Sequence, residues 1–205
     1  CRILPDPESH CYVLRSEAYF RMGAKAIAIA DLAKAIEIAP DDIAANRRML
    51  AWAKGPQQRQ AALALIGQER NFDVLRKAIE VLLAHGQRHF ASVTGLADTI
   101  EGWAVWQDGG SLEISISSGD HSASKIYEPD PLHPLGNYGH ATRFCVRRPR
   151  SATPQSIALS ASGNVFYSAR TAGNESVSTP PVHWTRPANT CAHGMTVIVP
   201  IYGDY

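Results

Sequence analysis

Gly23, Pro40, the pair Gly55–Pro56 and Gly86 punctuate the first part of the chain and leave room for a short helix between each and the next. Proline inside a helix removes a hydrogen bond and clashes with the preceding turn, and glycine weakens a helix interior, so these positions mark ends rather than middles. Between them, residues 9–85 are rich in Ala, Leu, Ile, Arg and Lys, all good helix formers except the β-branched Ile. The pattern predicts helices over about 9–22, 24–39, 42–54, 57–68 and 72–84. Asn71 is placed to cap the fifth. Phe72, Leu75, Ala78, Ile79, Leu82 and Leu83 fall near helical spacing along it.

The character changes near residue 90. Residues 92–170 are rich in Ser, Val, Thr, Ile and Gly in alternating patterns. Strands are expected over Ser92–Leu96, Thr99–Trp106, Ser111–Ser117, Ala141–Arg147, Gln155–Ser160 and Val165–Ala169. The turn Asp108-Gly109-Gly110, followed by alternating Leu112, Ile114 and Ile116, reads as a hairpin signal, and Gly163-Asn164 marks a turn between the last two strands. Short strands at this spacing suggest a small sandwich or barrel. Residues 171–194, with Pro180, Pro181 and Pro187 among Ser, Thr, Asn and Gly, read as a linker.

The balance of charge excludes some partners. With 45% hydrophobic and 19% charged residues and a net charge of +1, the chain is ordinary for a soluble globular protein and calls for neither nucleic acid nor an anionic membrane. No window approaches the roughly 18 consecutive apolar residues of a membrane span. The chain opens on Cys1 without a signal-peptide pattern, which suggests an excerpt or a processed chain. Cys1, Cys11, Cys145 and Cys191 form no CxxC and read as reduced thiols of a cytoplasmic protein, with a Cys1–Cys11 bridge as the alternative.

The first helix pair resembles a tetratricopeptide repeat, a unit of about 34 residues. Counting from Ser9, the large position falls on Tyr12, the small one on Ser16 and the aromatic one on Tyr19. The turn glycine is Gly23. Ala28, Leu32 and Ala35 follow, and Pro40 closes the unit. Arg15 stands where Leu is usual. Ala44, Ala51 and Gly55 sit near expected places in the next stretch, but Pro56 and Gln57–Gln60 do not. A single repeat cannot bury its own core, so either more repeats precede Cys1 or the β region covers the open face. The resemblance implies a protein or peptide partner in a concave groove, contacted by Tyr12, Arg15, Tyr19 and Arg47. The plainer reading is that these four pack or solubilise the helices.

Ile100-Glu101-Gly102-Trp103-Ala104-Val105 resembles a small β domain found beside glycosyltransferase domains in proteobacterial polysaccharide proteins. Gly102 allows a bulge or a close backbone approach. Trp103 and Trp106 must point to opposite faces of a strand, because their separation is odd. An exposed Trp can stack on a sugar ring, which makes both candidates for glycan contact; the plainer reading is a spacer with a Trp in its core. Metal and acid–base patterns are thin. The histidines show no HxH or HExxH spacing, and the chain has no GxSxG, P-loop or GxGxxG. Cys191 and His193 supply two ligands, which do not make a site. Asp120-His121 and Asp130–His133 are expected on surface loops, and Arg147, Arg148 and Arg150 on a solvated face.

Met195-Thr-Val-Ile-Val-Pro-Ile-Tyr-Gly-Asp-Tyr205 carries an apolar run of the kind used by a buried parallel strand, stopped by Pro200. This stretch resembles the start of family 2 glycosyltransferases. The resemblance implies that Pro200 and Tyr202 line the nucleotide pocket of a sugar donor; Gly203 stands where Asn is common. It also implies a divalent metal held by an Asp-x-Asp-like motif and a carboxylate base, both farther along than this stretch, so no cofactor is expected on these residues. The expectation is therefore an α+β multidomain chain: a tetratricopeptide-like helical region (1–88), a small β-sandwich-like domain (89–170), a linker (171–194) and the first strand of a transferase domain (195–205). Its function would be accessory and non-catalytic; the alternatives are an interaction scaffold and a carbohydrate-binding module.

Overall fold

A computed structural model describes residues 7–95, 99–118, 121–147 and 155–171. These form five helices and two antiparallel sheets, an α+β architecture. The helices are α1 (Pro7–Arg21), α2 (Lys25–Ile38), α3 (Ile43–Trp52), α4 (Pro56–Ile66) and α5 (Phe72–Ala84). The strands are β1 (His89–Gly95), β2 (Thr99–Trp106), β3 (Leu112–Ser118), β4 (His121–Tyr127), β5 (His140–Arg147), β6 (Gln155–Ala161) and β7 (Asn164–Thr171), with a 3-10 turn at Gly136–Tyr138. Among the described residues, no helix is long and apolar enough to cross a membrane.

The punctuating residues act as their chemistry dictates. Gly23 and Gly86 take φ of +80° and +82°. Ala24 N–H bonds Tyr19 O and Gln87 N–H bonds Leu82 O, so both helices end in the left-handed motif that returns the last carbonyls to partners. Pro56 starts α4, where its missing N–H costs nothing. Asp42 caps α3 through Ala44 N–H (2.8 Å) and Ala45 N–H (3.1 Å), and Asn71 caps α5 through Asp73 N–H (2.9 Å).

The first sheet has the order β1-β2-β5 and the second β4-β3-β6-β7. The turn at Asp108-Gly109-Gly110 therefore closes no hairpin. Both sides of β2 are occupied, by β1 and β5, and β3 pairs with β4 and β6; the turn carries the chain from one sheet to the other. The β6–β7 turn is a true two-residue hairpin, with Ser162 and Gly163 at φ +50° and +79°, the mirror-image turn that suits strand twist. Strand β4 was not expected from the pattern.

The first sheet is the middle layer. Its residues Val93, Ile100, Ala104, Trp106 and Phe144 meet Leu112, Ile114, Ile116, Ile157, Leu159 and Ala161 of the second sheet in one apolar cluster. On its other side, Phe90, Val105 and Ala141 join a cluster with Leu65, Leu75, Ile79 and Leu82 of α4 and α5. The sheets are also tied at both margins. Tyr127 O–H of β4 donates to Cys145 O of β5 (2.5 Å), and the His89 ring of β1 stacks on Phe166 of β7 with centroids 5.0 Å apart.

Candidate functional site

Two of the four groove residues expected on the helices, Arg15 and Arg47, hold carboxylates of other elements. Arg15 on α1 forms a two-pronged pair with Asp31 on α2, Nε–Oδ2 and Nη2–Oδ1 both 2.7 Å, and its guanidinium lies 5.0 Å from the Tyr12 ring centroid. Arg47 on α3 forms a similar pair with Glu69 in the α4–α5 loop, with Nη2–Oε1 at 2.7 Å and a second bond from Nε to Oε2. The Glu69 side chain is only 1% exposed. It also accepts Arg70 N–H (2.7 Å) and Asn71 N–H (2.8 Å). Burial pushes the Glu69 carboxyl up, but the Arg47 hydrogen bond and the two backbone N–H groups outweigh it and hold the carboxyl below its ordinary value. Tyr12 and Tyr19 are half-buried on α1, with Tyr12 against the helical core. Arg15 thus braces α1 to α2 and Arg47 braces α3 to the α4–α5 loop, each through two bonds of its planar fork.

The position-by-position packing of the first helix pair is tight. Ser16, Ala28, Leu32 and Ala35 are all 0% exposed, and Ser9 Oγ lies 3.3 Å from Ala35 O and 3.2 Å from Asp42 Oδ2. Phe20 of α1 stacks on Trp52 of α3 at 4.0 Å with an 8° interplanar angle, and Arg48 of α3 bonds Glu17 of α1 at 3.1 Å. The second helix pair therefore seats on one face of the first through an aromatic stack and an ion pair.

Trp103 and Trp106 do point to opposite faces of β2. Trp106 lies between the sheets, 0% exposed, with its indole N–H donating to Gly110 O (3.2 Å). It presents no face to a sugar, which removes it as a glycan-stacking residue: an indole between two packed sheets is core. Trp103 is half-buried against the helical cluster. Gly102 serves a close approach rather than a bulge: the β1–β2 register is unbroken, and a Cβ there would lie 2.0 Å from Ser92 O.

His133, expected on the surface, is buried at 5% exposure. Its ring stands edge-on to Phe72 (6.0 Å, 87°) and its Nδ1 accepts Leu135 N–H (3.2 Å), which leaves the neutral ring's proton on Nε2. Burial lowers its pKa, Arg143 adds to that, and Asp130 opposes it. The signal for burial lay in its neighbours: Pro134 and Leu135 follow it, and Leu135 is itself 0% exposed. Asp130 is exposed, as expected. His121 opens β4 rather than a loop.

The described surface carries shallow clefts. One, of about 250 Å³, is lined by Glu113, Ile126, Ser160 and Ser162; another, of about 300 Å³, by Asp130, His133, Asn137 and His140. No group of three or more His, Cys, Asp or Glu placed to hold a metal occurs among the described residues. Cys11 and Cys145 are exposed, and Cys145 Sγ donates to Glu101 Oε1 (3.5 Å). Asp120, Arg148, Arg150, Cys191, His193, Pro200 and Tyr202 lie outside the described residues, as do residues 172–205, which hold the expected linker except Thr171, the last residue of β7, and the expected first strand of a transferase domain. Neither a scan against protein-family models nor a search of curated proteins finds a match to this chain.

Proposed function

We propose that this chain is the accessory, non-catalytic region of a bacterial family 2-like glycosyltransferase of polysaccharide or cell-surface glycan synthesis. The reading rests on the run Val197-Ile198-Val199-Pro200-Ile201-Tyr202, an apolar run interrupted by proline and followed by Gly203-Asp204. Ligands of open α/β sheets sit beyond such strand ends, so Pro200 and Tyr202 would line the donor's nucleotide pocket. The metal-binding acidic motif and the catalytic base would come from later residues, with a divalent ion serving the donor diphosphate.

The helices would belong to a tetratricopeptide-like unit. What supports this is the packing of Ser16, Ala28, Leu32 and Ala35, small and large residues meeting with no exposed surface in the order the repeat requires. The two sheets, sharing one apolar layer, would form a sandwich-like spacer between the repeat and the catalytic unit. With Trp106 in the core, the spacer role is better supported than glycan stacking. Arg15 and Arg47 are engaged, so partner contact would fall on Tyr12, Tyr19 and the surrounding helix surface.

The test is an assay of sugar transfer with nucleotide-sugar donors and a divalent metal. The 205-residue chain should transfer nothing, and the gene's full product should transfer. Deleting residues 7–171 from that product should leave donor binding and lower transfer to acceptor. A full product that binds no nucleotide sugar would overturn the proposal.

A further inference from the structure

The connection from β4 to β5, residues 128–139, is a loop that closes on itself and is fastened to α5. Its base is tied by Asp130 N–H to Ala141 O (2.7 Å). Its interior is tied by His133 N–H to Asp130 O (3.1 Å), Gly136 N–H to His133 O (2.9 Å) and Tyr138 N–H to Leu135 O (3.1 Å). A loop bonded within itself can lift as a unit without breaking a strand ladder. Its hold on α5 is short: Arg76 Nη2 to Pro134 O (3.4 Å), Tyr138 O–H to Glu80 (2.7 Å), and the two buried side chains of the loop, His133 and Leu135.

We propose that this loop is an acid-released strap: a proton taken up by the His133 ring frees residues 131–139 from α5 while the helices and both sheets stay folded. The docked geometry of His133 suits only the neutral ring. Nδ1 accepts Leu135 N–H (3.2 Å), so a proton on Nδ1 would set two N–H groups against each other. Nε2 is buried and has no hydrogen-bond partner among the described residues, so the added charge gains no acceptor there. The ring stands edge-on to Phe72 of α5. Arg143 of β5, which lies over that same Phe72 ring, opposes the proton, and Asp130 of the loop favours it. On α5, Asp73 is paired with Arg76, and Glu80 accepts from Tyr138. Burial and Arg143 outweigh Asp130 and hold the docked ring below its ordinary value of 6.5. The freed ring returns to that value. Docking is therefore complete above about pH 6.5 and weakens as pH falls below it. Leu135, seated through the same N–H bond, leaves the helical cluster with the ring.

The experiment is amide hydrogen exchange of the 205-residue chain, read by mass spectrometry of its peptides at about pH 7.5 and about pH 5.5 and across low urea concentrations. A proton bound only by the freed ring multiplies the open fraction by about ten over that interval. Corrected for intrinsic exchange rates, peptides spanning 131–139 should lose about tenfold in protection. Their opening should depend little on urea, because it exposes far less surface than unfolding of the whole chain. His133→Asn keeps an acceptor for the N–H two residues on and has no titrating ring, so its strap should be equally protected at both pH values. Wild-type protection that is the same at both pH values would overturn the proposal. So would a strap that exchanges only with the urea dependence of the whole chain, or a His133→Asn strap that shows the wild-type loss. The first two results are read on the wild-type chain alone and decide the matter even where the variant does not dock.

Discussion

Replacing Gly102 by alanine should be among the most damaging single-methyl additions available in this chain. Gly102 sits in the middle of β2, paired with Val93 on β1 and Phe144 on β5. An added Cβ would lie 2.0 Å from Ser92 O, a backbone atom of the neighbouring strand, and 2.7 Å from Phe144 Cζ. The ring can swing, but the carbonyl is fixed by its strand. Relief therefore means moving β1 from β2 by about 1 Å or more. That weakens two or three ladder bonds at about 1 kcal/mol each. Shifting Phe144 inside a packed layer adds about 1–2 kcal/mol. The total is about 3–5 kcal/mol, enough to consume much of a small protein's stability. Gly67→Ala is the matched control: its backbone is helical (φ −80°, ψ −18°) and an added Cβ meets nothing within 4 Å. There the change should be neutral or stabilising by up to about 1 kcal/mol. Urea denaturation followed by tryptophan fluorescence reads both. A Gly102→Ala variant within about 1 kcal/mol of wild type would refute the account of close β1–β2 approach.

Two further substitutions test the buried titratable groups. Glu69→Gln turns an acceptor-only group toward four donors, and with Arg47 still 48% exposed and its attraction screened, denaturation should show a loss of about 1.5–3 kcal/mol. Because the Glu69 carboxyl is held below its ordinary value, its contribution is complete above about pH 4.5 and is lost as pH falls through the lower folded value; the stability gap between wild type and Glu69→Gln should close on acidification. The depressed pKa of His133 means the unfolded chain takes up more protons than the folded one below pH 6.5. Wild-type stability should therefore fall as pH drops below that value, and His133→Leu should flatten that part of the denaturation–pH curve.

The helical half could be read from sequence because its boundaries are set locally. Gly23, Gly86 and Pro56 each end or begin a helix through their own backbone limits, and Asn71 caps with its own side chain. The sheets depend on distant partners, and there local reading went astray. Asp108-Gly109-Gly110 has the chemistry of a reversal, but turn chemistry says nothing of which strands then pair, and β2 was already flanked on both sides. Strand β4 lacks the alternating signal because Ala123 and Lys125, opposite Ile116 and Ile114 in the register, are exposed, and of that face only Tyr127 packs against the core. Arg15 and Arg47 looked available for a partner because their carboxylates, Asp31 and Glu69, lie 16 and 22 residues away and on other elements. The opposite facing of Trp103 and Trp106 followed from strand period alone; that Trp106 is sealed required knowing that a second sheet lies over it.

The most direct test of the glycosyltransferase reading is the coding sequence downstream of Tyr205. A frame that continues for roughly the 100–200 residues of a typical domain and carries an Asp-x-Asp-like motif is the predicted result. A stop codon at or just after Tyr205 would contradict it, leaving an interaction scaffold built on the α1–α5 stack.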